Sequence, residues 1–191
     1  MEELVNHLKQ FGTLSAEDIA ILKKHLTVKS FAANEVFVPA GKVAHKVGFV
    51  LSGVFRYFFY DQSGNEITAM FMTENDFVTN INSFYEFTPS SGTIVAETDC
   101  EAIVISRDSW ELFSEEITRW DPIIRKITQQ TLLKKTNFQR KLISQDAKTS
   151  YLDFIENYPT VIQRVPLIHV ASYLGITKFS LSRIRKQIAE K

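Results

Sequence analysis

A row of hydroxyl, ammonium and guanidinium groups near the end of the chain carries its most specific chemistry. Lys178, Ser182 and Arg185 recur at i, i+4 and i+7, with Thr177, Phe179, Ser180, Arg183 and Lys186 beside them. On a helix this spacing makes one basic face. Arginine presents a planar fork of donors that matches a phosphate or the O6 and N7 edge of guanine. Phe179 cannot accept a hydrogen bond from cytosine, but its ring fits against a thymine methyl. On the opposite side Leu181, Ile184 and Ile188 fall at i, i+3 and i+7 and read as a buried stripe.

The segment before this face must position it. Val165–Lys186 reads V-P-L-I-H-V-A-S-Y-L-G-I-T-K-F-S-L-S-R-I-R-K. Pro166 suits a first helical position, where its missing N–H costs nothing. Val170, Ala171 and Leu174 give one short helix an apolar face, and Ala171 is small where a second helix must cross. Gly175 stands where the chain turns and a positive φ is needed. Thr177 can cap the next helix. A short helix, a glycine turn and a basic helix form a helix-turn-helix, a device for entering a major groove. A plain helical hairpin with a solvated basic face is the simpler reading. The joint spacing of Ala171, Gly175 and Leu181 favours the DNA reading. His169, on the first helix, reads as a packed or solvent-tipped residue.

The net charge of zero conceals an asymmetry. Residues 1–120 hold 9 Lys+Arg against 17 Asp+Glu, a balance of −8. Residues 121–191 hold 13 against 5, a balance of +8. This suggests a basic, polyanion-facing module joined to a non-binding one. The single cysteine, Cys100, excludes an intrachain disulfide and a four-thiolate cluster. His7, His25, His45 and His169 show no metal-ligand spacing, so neither metal nor cofactor is expected. The start of the chain lacks a signal peptide's pattern, and no apolar run spans a membrane. A cytoplasmic protein is expected. No nucleophile–base pair, telling carboxylate pair or phosphate loop points to an enzyme. Asp76, Glu86, Glu97 and Asp99 read as turn and surface residues.

Two short helices are expected at 3–11 and 15–26, the second capped by Ser15. Short β-rich runs then alternate with turns: 28–31, 35–38, 47–51, 54–60, 66–72, 93–98 and 102–106. Many short strands at such spacing suggest an antiparallel sandwich or barrel. Helix returns near Asp108. Asp121-Pro122 opens a long helix to about Ser144, with Ile124, Ile127, Thr131, Lys134, Phe138 and Leu142 as a near-heptad seam for a second copy of the chain. The polar stretch around 145–149 reads as a hinge, and 149–157 as a further helix. Any wing beside the helix-turn-helix would be short and lie at 159–165.

Together these elements resemble the Crp/Fnr superfamily of transcription regulators, over nearly the whole chain. The motifs are G-F-V-L-S-G (48–53), D-Q-S-G-N-E (61–66), N-D-F (75–77), V-A-E (95–97) and A-S-Y-L-G-I-T-K-F-S-L-S-R (171–183). The resemblance implies an α+β fold. A β-roll sensor-like domain would occupy 1–120, a central dimerisation helix 121–145 and a helix-turn-helix domain 146–191. It implies a homodimer on double-stranded DNA, with RNA polymerase a further candidate partner. The alternative is a small-molecule-binding module that acts through protein contacts.

One departure from the family matters. Members that bind cyclic nucleotide carry a Gly-Glu pair and an Arg-Ser pair after G-D-F; the glutamate grips the ribose and the arginine the phosphate. Here Thr79-Asn80 and Ser90-Ser91 stand in their places, and no basic residue lies between Arg56 and Arg107. Burying a phosphate monoanion without a charge partner is costly. A cyclic AMP response in the usual mode is therefore not expected. Phe77, Thr79, Asn80, Ser90, Ser91 and Thr93 remain candidates to line a pocket for another, more neutral effector. A haem-binding branch needs an axial ligand, and His45 and Cys100 read as structural.

Overall fold

A computed structural model describes residues 1–190. Two amphipathic helices, α1 (Glu2–Lys9) and α2 (Ala16–His25), precede the strands. Ser15 caps α2 in a capping box with Asp18, which satisfies two end groups reciprocally. Eight strands follow: β1 (Thr27–Phe31), β2 (Val36–Val38), β3 (Lys46–Ser52), β4 (Phe55–Tyr60), β5 (Glu66–Met72), β6 (Phe77–Val78), β7 (Thr93–Ala96) and β8 (Cys100–Ser106). They pair antiparallel in two four-stranded sheets, β1-β8-β3-β6 and β2-β7-β4-β5. Phe31, Phe37 and Phe55 pack edge-on against one another between the sheets, while Phe49 alternates to the other face and packs on His7 of α1 and on Phe77. The chain is thus an α+β protein built on a β-roll.

Between β6 and β7 lies a helix that the sequence reading lacks, α3 (Ile81–Glu86), capped by Asn80. After the roll come α4 (Arg107–Glu116) and the 25-residue α5 (Trp120–Ser144). Then follow α6 (Ala147–Asn157), α7 (Val161–Arg164), α8 (Leu167–Tyr173) and α9 (Lys178–Ala189). The segment suggested as a wing, 159–165, holds the short helix α7 and no hairpin. Pro166 sits one residue earlier than expected. It is the N-cap of α8, with ψ 135°, and Leu167 opens the helix.

Two cores form. The larger fills the roll and takes in Trp110, Trp120, Ile123, Ile124 and Ile127. The smaller joins Phe138, Phe154, Val161, Val170, Leu181 and Ile184 of the helices to Val54 and Phe71 of the roll. The boundaries expected near residues 120 and 146 are therefore crossed by packing: α5 belongs to both cores. No described helix is long and apolar enough to cross a membrane. Among the described residues no group of His, Cys, Asp and Glu is placed to hold a metal ion.

Candidate DNA-reading helix and effector cavity

The glycine turn is built as its residues dictate. Gly175 adopts φ +68°, Ile176 N–H donates to Ala171 C=O at 3.0 Å, and Gly175 N–H donates to Ser172 C=O at 3.1 Å. These two bonds satisfy carbonyls at the end of α8 in a Schellman motif. Thr177 then caps α9, its hydroxyl oxygen accepting from Ser180 N–H at 3.1 Å. Ala171 is buried where the helices cross, and Leu181 and Ile184 pin α9 inward.

Thr177, Lys178, Phe179, Ser182, Arg183, Arg185 and Lys186 are consequently exposed together. Phe179 is 87% exposed, a large apolar side chain with no cover in this chain. Ser180 differs from the rest. It is half-buried and its hydroxyl oxygen accepts from Thr177 Oγ1, so it completes the cap.

The helix-turn-helix is anchored on the roll through β5, the edge strand of its sheet. Ser172 Oγ accepts from Thr68 N–H and donates to Glu66 C=O, both at 2.9 Å. One side chain of α8 thereby satisfies two edge groups that would otherwise lack partners. Phe71 packs edge-on against Tyr173 and Phe154. Arg164 holds Glu74 through two bonds of 2.6 and 3.0 Å. That contact keeps the Glu74 carboxyl below its ordinary value.

Glu97 is not a surface residue, contrary to expectation. Its side chain is 4% exposed. One oxygen accepts from Arg56 Nε at 2.7 Å and the other from Nδ1 of His169 on α8. Burial pushes this carboxyl up, and hydrogen bonds from His169 and Arg56 outweigh it, so the net shift is downward. Arg56 is itself buried, bridging to Glu66 and lying over the Phe58 ring. Sequence offered one clue: an arginine in an otherwise aromatic strand needs a buried anion.

A cavity of about 520 Å³ opens between the roll, α3 and α5. Four of the six pocket candidates line it: Phe77, Thr79, Asn80 and Ser91. Ser90 and Thr93 do not. Ser90 is buried, donating to Gly92 C=O at 2.6 Å, and the Thr93 hydroxyl oxygen accepts from Ala40 N–H. The polar end is largely self-satisfied. Asn80 Nδ2 donates to Ser90 Oγ at 2.8 Å, its carbonyl caps α3, and Tyr57 OH meets Ser91 Oγ at 2.8 Å. Neither nearby arginine is free to serve it. Arg56 is held by two glutamates, and Arg107 donates to Ala44 and Phe84 carbonyls. The remaining wall was not anticipated. It comes from Tyr57, Met70, Met72 and Trp110 and from one face of α5.

The residues expected to form a dimer seam are largely occupied within this chain. Ile124 and Ile127 are buried against this chain's own roll, and Phe138 is buried against Tyr173, with ring centroids 5.1 Å apart. Thr131 lines the cavity, Leu142 leans on the smaller core and Lys134 is exposed. The apolar side chains that α5 leaves uncovered are Leu132, Leu133 and Ile143.

The chain thus joins a β-roll, a long helix and a docked pair of short helices, α8 and α9. Residues 28–116 match the family model of the cyclic nucleotide-binding domain. Solved structures with a similar fold include regulators. The c-di-GMP responsive global regulator CLP of Xanthomonas campestris is 17% identical, with TM-score 0.71 and 92% of each chain covered. FixK2 of Bradyrhizobium japonicum is 17% identical, with TM-score 0.73 and coverage of 86% of this chain and 85% of its own. A Eubacterium rectale protein assigned to the Crp/Fnr family is 13% identical, with TM-score 0.72 and coverage of 92% and 84%. No curated protein matches the chain by sequence.

Proposed function

We propose that the chain is a homodimeric, sequence-specific DNA-binding transcription regulator of the Crp/Fnr type. The observation that carries this reading is the exposed row on α9. Lys178, Phe179, Ser182 and Arg183 stand on the first two turns of a capped helix, the part that reaches base edges in this motif. Arg183 contacts guanine, and Arg185 and Lys186 contact phosphates. RNA polymerase is a natural partner for a regulator of this class.

Dimerisation uses the outward side of α5. Gln129, Leu132, Thr136, Gln139 and Ile143 recur at heptad spacing and are all exposed, with Leu132, at the rim of the cavity, and Ile143 as the apolar contacts. This replaces the inward-facing set expected from sequence.

Cyclic AMP in the usual mode is not the effector. The neutral Asn80–Ser90–Tyr57–Ser91 cluster replaces the glutamate and arginine that a cyclic phosphate needs. Selecting bound duplexes from a random pool tests the DNA reading. A near-palindromic site with half-sites about one helical turn apart supports it, and an unenriched pool contradicts it.

A further inference from the structure

We infer that the cavity is a site for an amphipathic carboxylate: an acyl or aryl body buried in the slot, its carboxylate paired with Lys135. This rests on reading the cavity as the effector site of the regulator. The cavity lies within the usual size of small-molecule sites, and such sites place a few polar groups on mainly apolar walls. Here the apolar walls are Met70 and Met72 from β5, Phe77, Trp110, and Ile124 and Ile127 from α5. The lining residues on α5 run from Ile124 to Lys135, a length of about 16 Å at the rise of an α-helix. That slot suits an elongated apolar body.

Lys135 is the one charged residue among those lining the cavity. It is half-buried, and no carboxylate among the described residues lies within ion-pairing distance. Asn80, Ser90, Tyr57 and Ser91, by contrast, hydrogen-bond mainly with one another. A ligand that needs several strong polar contacts there would break them. A single anionic head at Lys135 requires no such rearrangement. A carboxylate suits one ammonium group, whereas a cyclic phosphate with a ribose needs more partners than remain.

The strand that walls the cavity also holds the reading module. Met70 and Met72 line the cavity, while Phe71 between them packs on Phe154 and Tyr173. A body that displaces the two methionines therefore bears on the strand to which α8 is bonded.

The test uses the full chain with N-phenyl-1-naphthylamine as a fluorescent apolar probe, displaced by decanoate, 1-decanol or cyclic AMP. Decanoate should displace the probe at a concentration at least tenfold below that of decanol. Lys135→Gln should abolish this gap, Lys135→Arg should keep it, and Lys134→Gln, on an exposed neighbour that does not line the cavity, should leave it unchanged. Equal displacement by acid and alcohol, a gap that survives in Lys135→Gln, more effective displacement by cyclic AMP, or no probe binding would each overturn the assignment. Duplex binding by the same samples is scored separately. A protein that binds DNA but not decanoate contradicts the ligand class alone, and one that binds decanoate but no DNA contradicts the regulator reading.

Discussion

His169 on α8 donates to the buried carboxylate of Glu97, whose other oxygen is held by Arg56 of β4. A residue of the C-terminal helices thus completes an ion-paired group inside the roll. Removing the two partners has different consequences. Glu97→Ala leaves the Arg56 charge buried with only the partly exposed Glu66 as counter-ion, and should destabilise the protein by about 3–5 kcal/mol. His169→Ala keeps the pair and loses one charge-assisted bond, at a cost of roughly 1.5–3 kcal/mol. Urea unfolding of both variants checks the order. A larger loss in His169→Ala would show that the histidine is the main support.

Acid should loosen the docking of α8 and α7 on the roll. The carboxyls of Glu97 and Glu74 both have folded-state values below their ordinary ones. A depressed carboxyl stabilises the folded state above its unfolded value. That contribution is lost as pH falls through the folded one. Stability should therefore hold down to about pH 4.3, the ordinary glutamate value, and decline below it. Denaturation midpoints measured from pH 7 to pH 3 check this. In Arg164→Gln, Glu74 loses the main cause of its shift, so the decline should become shallower.

The turn predicts a modest and local cost. Gly175→Ala places a methyl in open space, since no atom lies within 4 Å of the added carbon, but keeps φ at +68°. The strain of that conformation should cost about 1–3 kcal/mol. A thermal melt measures it, and an unchanged midpoint would mean that the turn relaxes freely.

The two faces of α5 should respond differently to a charge. Leu132→Asp and Ile143→Asp fall on exposed positions, and should give folded monomers with weak operator binding. Ile127→Asp buries a carboxylate in the roll and should cost about 4 kcal/mol or more. Sedimentation and melting of the three proteins separate the outcomes. A dimeric Leu132→Asp protein with full operator affinity would place the seam elsewhere.

Much of this arrangement is legible in the chain because it is written locally. The Ser15 and Thr177 caps, the Gly175 turn and most strands each depend on a few neighbouring residues. The unread parts depend on contacts distant in sequence. Glu97 looks like a turn residue because its partners Arg56 and His169 lie 41 and 72 positions away. Helix α3 is short, and its cap, Asn80, reads equally well as a pocket residue. The proposed seam moves for a related reason. Periodicity finds the apolar stripe of α5 at Ile124, Ile127 and Phe138, but does not say whether the roll or a second copy covers it. Here the chain covers its own best stripe and leaves the weaker one outside.

The central claim, that α9 reads DNA, is tested most directly by Arg183→Ala. Affinity is measured on the selected duplex and on random duplex across a range of salt. The account predicts a loss of about 1–3 kcal/mol on the selected duplex, relaxed preference at one base position, and little change on random DNA. Arg185→Ala should instead weaken both duplexes alike and lower the salt slope by roughly one. If Arg183→Ala weakened both duplexes equally, or neither, α9 would not be reading bases through Arg183 and the claim would fail.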